Sequence, residues 1–342
     1  MTGGTMLGFV ARRAAWALLV LFVVTTLTFF LSRVVPADPA AFLAGQNATA
    51  ESIASIRAEY GLDRPVAAQY VSFLAGVLHG DFGISIRTKQ PVGADLAAFL
   101  PATLELLVFS FALYIVASWF LAILAVRSAG GMLDQAIRIF TMLGSGIPVF
   151  WLGMALQFVF FYKLGWLPIG GRFPVRETPP DTVTGFYLID SLLGGSLHDF
   201  WKSFIALILP SAAIVINLLA VGTRMSRASL LTEYNKRYVR TAIGKGASRG
   251  RVLYKHVLRN AISPVLAVTG IQFGYMISWV ILVEVIFNWP GIGLYAYQSF
   301  EVFDYAPVVA LAIVSTIVFL VINFAMDLIY PVIDPRVRSA LS

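Results

Sequence analysis

Six apolar segments constrain this chain more than any other feature of its sequence. They lie near residues 9–32, 102–126, 139–162, 204–223, 262–287 and 307–329. Each is long enough to cross a bilayer, which takes about 20 residues as a helix. A span in lipid must satisfy its own N–H and C=O groups, so a segment of this length crosses as a helix. Of the 342 residues, 58% are hydrophobic and 13% are charged, and mean hydropathy is +0.81. A soluble domain carries about 25% charged residues. The expected fold class is therefore an all-α integral membrane bundle of six helices.

Charge asymmetry orients that bundle. With the N-terminus cytoplasmic, the inside segments hold Arg12, Arg13, Arg127, Arg138, the basic residues from Arg224 to Arg259, Arg336 and Arg338, which is sixteen of the 25 Lys and Arg. Twelve of the 18 acidic residues fall outside. The positive-inside rule then predicts a multi-pass cell-membrane protein with both termini cytoplasmic. The net charge of +7 reflects this topology, and no basic patch interleaved with aromatics points to nucleic acid. Arg12 and Arg13 precede an apolar run too long for a leader and without a small-x-small cleavage site, so the first span is read as a retained helix.

The longest basic stretch, Tyr238 to Pro264, lies on the predicted cytoplasmic side between two apolar spans. A helical pattern breaks around Gly244 and Gly246. It restarts after Ser248, a good N-cap residue, with Val252, Leu253, Val257 and Ala261 at helical spacing. Arg251, Lys255 and Arg259 fall four apart and predict a cationic stripe on the second helix. By charge alone, that stripe suits anionic lipid headgroups. A helix–glycine–helix also suits docking to a soluble partner.

Tyr238, Val239, Arg240, Thr241, Ala242, Lys245, Gly246, Val252, His256, Leu258, Arg259, Asn260, Ala261 and Pro264 fill a recurring pattern. It resembles the EAA loop of ABC importer permeases in the peptide/nickel branch, most closely the B-type dipeptide/oligopeptide permease. The general EAA motif has glutamate at Arg240 and proline at Arg259, and the peptide branch departs from it in the same way. Further stretches resemble the same branch. They are Tyr60-Gly61-Leu62-Asp63 with Pro65, Gln69 and Tyr70; Gly80, Asp81, Gly83 and Ser85; Gly165 to Pro168 with Gly171 and Arg172; Phe287 and Trp289 to Gly293; and Asp334-Pro335-Arg336.

The resemblance implies a six-helix type I ABC importer transmembrane domain. It divides the chain into an N-terminal membrane helix (1–32), an external segment (33–100), a membrane core (101–330) with a cytoplasmic coupling loop (225–260), and a cytoplasmic tail (331–342). It implies that Arg240, Thr241, Ala242, Lys245, Gly246, Ala247 and Ser248 couple the bundle to an ATPase. It also implies a second homologous permease, two ATPase domains, an external substrate-binding protein and membrane lipids as partners. The cargo implied is short peptides, with nickel, glutathione or opines as alternatives on the same scaffold. A self-sufficient secondary transporter is the rival of another class. It predicts inverted repeats and intramembrane charges, which the sequence does not clearly show.

No hydrolytic or redox site is legible. His79, His198 and His256 match no metal spacing, and there is no cysteine. Gly244-Lys245 is followed by Gly246 rather than Ser or Thr, so no phosphate-binding loop is present. No cofactor is expected; ATP would be used by the partner subunits. Intramembrane charges are expensive and each calls for a role. Glu105 follows Pro101 and is read as sitting in the first turns of its helix, where the dipole favours a carboxylate. Asp327 is expected to pair with Arg336 or Arg338. Glu284 either lines a pathway or holds the Trp289-Pro290-Gly291 turn. Ser145, Gln157, Asn217, Gln272 and Ser278 are polar residues of spans three to five. Of these, Ser145, Gln272 and Ser278, together with Glu284, are the candidate pathway residues, although helix–helix hydrogen bonding explains them equally well. Gly144, Gly146 and Pro148 predict a bend or a close helix contact in span three.

Overall fold

A computed structural model of the chain describes residues 3–34, 40, 49–59, 61 and 63–333. Tyr60, Leu62 and the end of the chain from Asp334, including Arg336 and Arg338, lie outside the described residues, as does the side chain of Asp327. The regular structure of the described residues is helical, with a single isolated bridge between Ile84 and Pro91 and no named strand. In order, the helices are α1 (Gly3–Val34), α2 (Ala50–Glu59), α3 (Val66–Leu78), α4 (Val92–Arg127), α5 (Met132–Gly146), α6 (Val149–Leu156), α7 (Tyr187–Leu193), α8 (Leu197–Tyr234), α9 (Arg237–Gly244), α10 (Leu258–Ile286), α11 (Ile292–Glu301) and α12 (Tyr305–Ile333). π-helical segments follow α6 (Gln157–Lys163) and precede α10 (Val252–Val257).

Five helices are long and apolar enough to cross a membrane, and α5 with the segment Val149–Lys163 makes a sixth span broken by a 108° bend. The described residues thus hold five continuous candidate spans, or six when the bent pair is counted as one, and the expected third span is not one continuous helix. The cause is local. Pro148 has no N–H and disfavours helical geometry at the residue before it, and Ile147 is extended at φ −90°, ψ 128°. The carbonyl of Ile147 accepts from the Asn217 side chain at 2.8 Å. The close contact also occurs: a Cβ on Gly144 would lie 3.0 Å from the Ile216 carbonyl oxygen.

The chain forms two compact units. One comprises Ala102–Pro290 with the chain from Val321, and the other the chain up to Pro101 with Gly291–Leu320. In the first, α8 packs against α5, α6, α7 and α10. The second has a core of Val92, Leu96, Ile292 and Ala310. There α3 is too short to span, as its length predicts, and joins α1 through a 2.6 Å hydroxyl contact between Tyr70 and Thr26 and through ring packing of Phe73 on Phe29.

The Gly80, Asp81, Gly83 and Ser85 motif has a structural role at each position. Gly80 and Gly83 take φ of +76° and +89°, which side chains with a Cβ rarely adopt. The Asp81 carboxylate accepts the Gly83 N–H at 2.9 Å. Ser85 donates to buried Asp304 at 2.6 Å. Nearby, Thr88 and Tyr295 both donate to Asp95, at 2.5 and 2.6 Å. Burial, reinforced by that bond to Asp95, pushes the Tyr295 hydroxyl above its ordinary range.

Candidate functional site

The basic loop folds as its local sequence predicts. Helix α9 ends at Gly244, and Gly246 takes φ +84°. Two bonds close the end: Gly246 N–H to the Ile243 carbonyl at 2.9 Å, and Ala247 N–H to the Ala242 carbonyl at 3.1 Å. This is a Schellman stop, whose left-handed residue is normally glycine. Ser248 then opens the next helical turn, accepting the Arg251 N–H on its hydroxyl at 3.4 Å and the Val252 N–H on its carbonyl at 3.0 Å.

The loop is anchored from beneath. Val239, Val252, Leu253, Val257 and Ala261 are buried with Ala122 of α4 and Leu230 of α8, and Ala242 and Ala247 pack on that cluster. The Tyr238 hydroxyl donates to Glu233 of α8 at 2.8 Å and accepts from the Asn260 amide at 3.3 Å. Ser229 of α8 donates to the Ala261 carbonyl at 2.7 Å. Of the seven residues assigned to coupling, Arg240, Thr241, Lys245, Gly246 and Ser248 are exposed, whereas Ala242 and Ala247 face the bundle. Among the described residues, none beyond its chain neighbours lies within 4 Å of a Cβ built on Gly246, so what the described fold requires of it is the backbone angle. Arg251, Lys255 and Arg259 are all exposed, as the four-residue spacing predicts, although Val252–Val257 between them is π-helical rather than α-helical.

The reading of Glu105 is corrected. Helix α4 begins at Val92 and carries Pro101 inside it, so Glu105 lies several turns from the helix start, where the dipole has faded. It is buried and ion-paired with buried Arg172, with Nη2 and Nε at 2.5 and 2.9 Å from Oε2. Its other oxygen accepts the Leu188 N–H at 2.8 Å. Arg172 also donates to the Gly185 carbonyl and lies 3.7 Å from the Tyr187 ring centroid. Beside it, Gly171 N–H bonds the Phe287 carbonyl at 2.8 Å, and Trp289 donates to the Ala102 carbonyl at 2.9 Å. The Gly-Gly-Arg and Phe-x-Trp-Pro-Gly motifs, far apart in sequence, therefore meet. Asp190 closes the adjoining loop. Burial alone would raise its pKa, but the Thr184 hydroxyl and the Thr184 and Gly185 N–H groups hold its carboxyl below the usual range.

The polar residues of the spans separate into two groups. Gln272 is buried beside Tyr114, whose hydroxyl sits over Gly222. Glu284 is buried and accepts from Thr103 at 2.6 Å. Gln157 donates to the carbonyls of Ile169 and Ile286 at 2.7 and 3.2 Å. Ser145 and Ser278 remain exposed. One strong interaction was not read from the sequence: buried Asp134 accepts from Arg227 at 2.9 and 2.7 Å and from the Gly130 N–H at 3.0 Å, tying α5 to α8.

Comparison with known proteins decides the family. The model described as "binding-protein-dependent transport system inner membrane component" matches residues 115–339, and the corresponding N-terminal model matches residues 6–107. The chain belongs to this family. It is similar to the dipeptide transport system permease protein DppB of Alkalihalophilus pseudofirmus, at 34% identity over 97% of this chain and 100% of that protein. It is 35% identical to the probable D,D-dipeptide transport system permease protein DdpB of Escherichia coli, over 96% of this chain and 97% of that one. It is 37% identical to the di/tripeptide transport system permease protein DppB of Pseudomonas aeruginosa, over 97% and 99%. Membership makes the chain a multi-pass inner-membrane transport component of the type I ABC importer class, all-α as expected. A component of such a system works with substrate-binding and ATPase partners.

Proposed function

We propose that the chain forms half of a translocation pathway for short peptides and has no ATPase site of its own. Its partners in this reading are one homologous permease, two separate ATPase domains and an external peptide-binding protein. The observation that carries the coupling role is the loop's construction. A glycine-stopped helix presents Arg240, Thr241, Lys245 and Ser248 outward while its base is locked to α8 and α10 by Val239, Tyr238 and Ala261. A push on such a loop is carried into two spans at once, as alternating access by a two-state bundle requires. The dipeptide and di/tripeptide permeases to which the chain is similar favour peptide cargo over nickel, glutathione or opines, and an ATP-driven importer over an ion-gradient carrier.

In this reading, exposed Ser145 and Ser278 face the pathway, while Gln272 and Glu284 hold helices together. Both termini and the loop 225–260 are cytoplasmic, and 33–100 and 163–203 are external, by the Lys/Arg asymmetry. In this cysteine-free chain, Val175→Cys should react with an impermeant thiol reagent on intact cells and Arg237→Cys should not; the reverse pattern would invert the topology. Deletion of the gene, scored by growth on di-, tri- and longer peptides with nickel uptake measured in parallel, tests the cargo. Lost peptide use with normal nickel accumulation is expected. Normal peptide use with lost nickel accumulation overturns the substrate assignment and leaves the permease assignment standing.

A further inference from the structure

Helix α7 is built inside out. It buries Asp190 and Ser191 and turns Ile189, Leu192 and Leu193 outward. The inward polar groups are satisfied by protein: Asp190 by Thr184 and Gly185, and Ser191 by donation to the Tyr187 carbonyl at 2.6 Å. The outward face therefore carries no polar side chain, with Leu192 and Leu193 55% and 63% exposed. The orientation is fixed rather than loose. At one end, Leu188 N–H is bonded to Glu105 and Tyr187 is stacked under Arg172. At the other, Ser196 caps α8 through the Asp199 N–H at 3.2 Å.

The apolar face continues onto the first turns of α8, where Leu197 and Trp201 are 75% and 58% exposed. That same helix goes on to cross the membrane. An exposed tryptophan at the end of a span is characteristic of the bilayer interface. A helix with an uncharged apolar face beside that level is placed as interfacial helices are, with the face sunk below the headgroups. We propose that α7 lies in the external interfacial zone of the bilayer, with Ile189, Leu192 and Leu193 inserted among phospholipid acyl chains. It would anchor the external loop so that the Arg172–Glu105 pair is held at membrane level. The proposal rests on the membrane topology and is independent of which cargo is carried.

The chain has no cysteine, so single probes can be placed cleanly. Leu193→Cys and, as a second site, Ile189→Cys would carry an environment-sensitive fluorophore in the assembled transporter in phosphatidylcholine nanodiscs. Val175→Cys, at a 99% exposed position of the same external segment, is the aqueous reference. Quenching by shallow doxyl-labelled lipid should be at least twofold stronger at 193 and 189 than at 175. Iodide should quench 175 and spare the other two, with or without binding protein. Equal iodide quenching at all three sites would place the face in water and overturn the proposal. Weak lipid quenching, with iodide protection that appears only on adding binding protein or the second permease, would overturn it in favour of a protein partner.

Discussion

Replacing Arg172 with methionine keeps most of the side-chain volume but removes the charge that neutralises Glu105. Both residues are buried, at 7% and 3% exposure, so water cannot take over. Glu105 would keep the Leu188 N–H as its remaining named donor, and the Gly185 carbonyl and Tyr187 ring would lose the guanidinium. Breaking one side of a buried pair costs about 3–5 kcal/mol. Removing both charges, as in Glu105→Leu with Arg172→Met, leaves no buried charge and only the part-buried Leu188 N–H and Gly185 carbonyl without their partners, each costing less than the about 1–3 kcal/mol of a fully buried orphan because water can reach it. The double variant should therefore be more stable than Arg172→Met alone. At about 2 °C per kcal/mol for a chain of this size, the single change should lower the unfolding midpoint in detergent, followed by tryptophan fluorescence, by about 6–10 °C. The half-exposed pair Lys202–Glu177 is the control, and Lys202→Met should shift the midpoint by no more than about 2 °C, because surface pairs contribute about 0–1 kcal/mol. If Arg172→Met behaves like Lys202→Met, or if the double variant falls as far as the single, the buried pair does not hold the loop as described.

Three further outcomes are expected. In Gly222→Ala, the new Cβ would collide with the Tyr114 hydroxyl and ring. The variant should lose about 1–3 kcal/mol by overpacking, measured as a lower midpoint that Tyr114→Phe partly restores. Asp190 has a folded pKa below its ordinary value of 3.8. Its contribution is therefore fully present above that value and lost as pH falls through the lower folded pKa, and Asp190→Asn should abolish that part of the acid sensitivity of the midpoint. Gly246→Leu places a side chain at φ +84° on an exposed loop. Expression should stay near normal while ATPase co-purification and uptake fall, and unchanged uptake with unchanged assembly would refute the coupling role.

What was legible in the sequence was local or imposed by lipid. The spans show because a bilayer demands some 20 apolar residues in a row. The loop shows because Gly246 and Ser248 act on their own neighbours, one through φ and one through a cap. Pro148 broke span three for the same reason. What could not be read depends on partners far along the chain. Pro101 looked like a helix start because the amphipathic turn from Val92 is not apolar enough to stand out as membrane, and Glu105 was misplaced with it. The partner of Glu105 is 67 residues away, and that of Gln157 at Ile286 is 129 away. That Gln272 and Glu284 are buried against Tyr114 and Thr103 was not legible either, because a sequence does not reveal which side of a helix meets which neighbour. The π register of Val252–Val257 had no compositional sign.

The most direct test is reconstitution of the purified assembly that contains this chain into liposomes, with accumulation of a radiolabelled dipeptide as the readout. This chain alone should hydrolyse no ATP. The complete assembly with binding protein should accumulate dipeptide only when ATP is supplied on the cytoplasmic side, and should lose accumulation while keeping its subunits when Gly246→Leu is introduced. Accumulation by this chain without ATPase subunits, driven by an imposed ion gradient, would contradict the account.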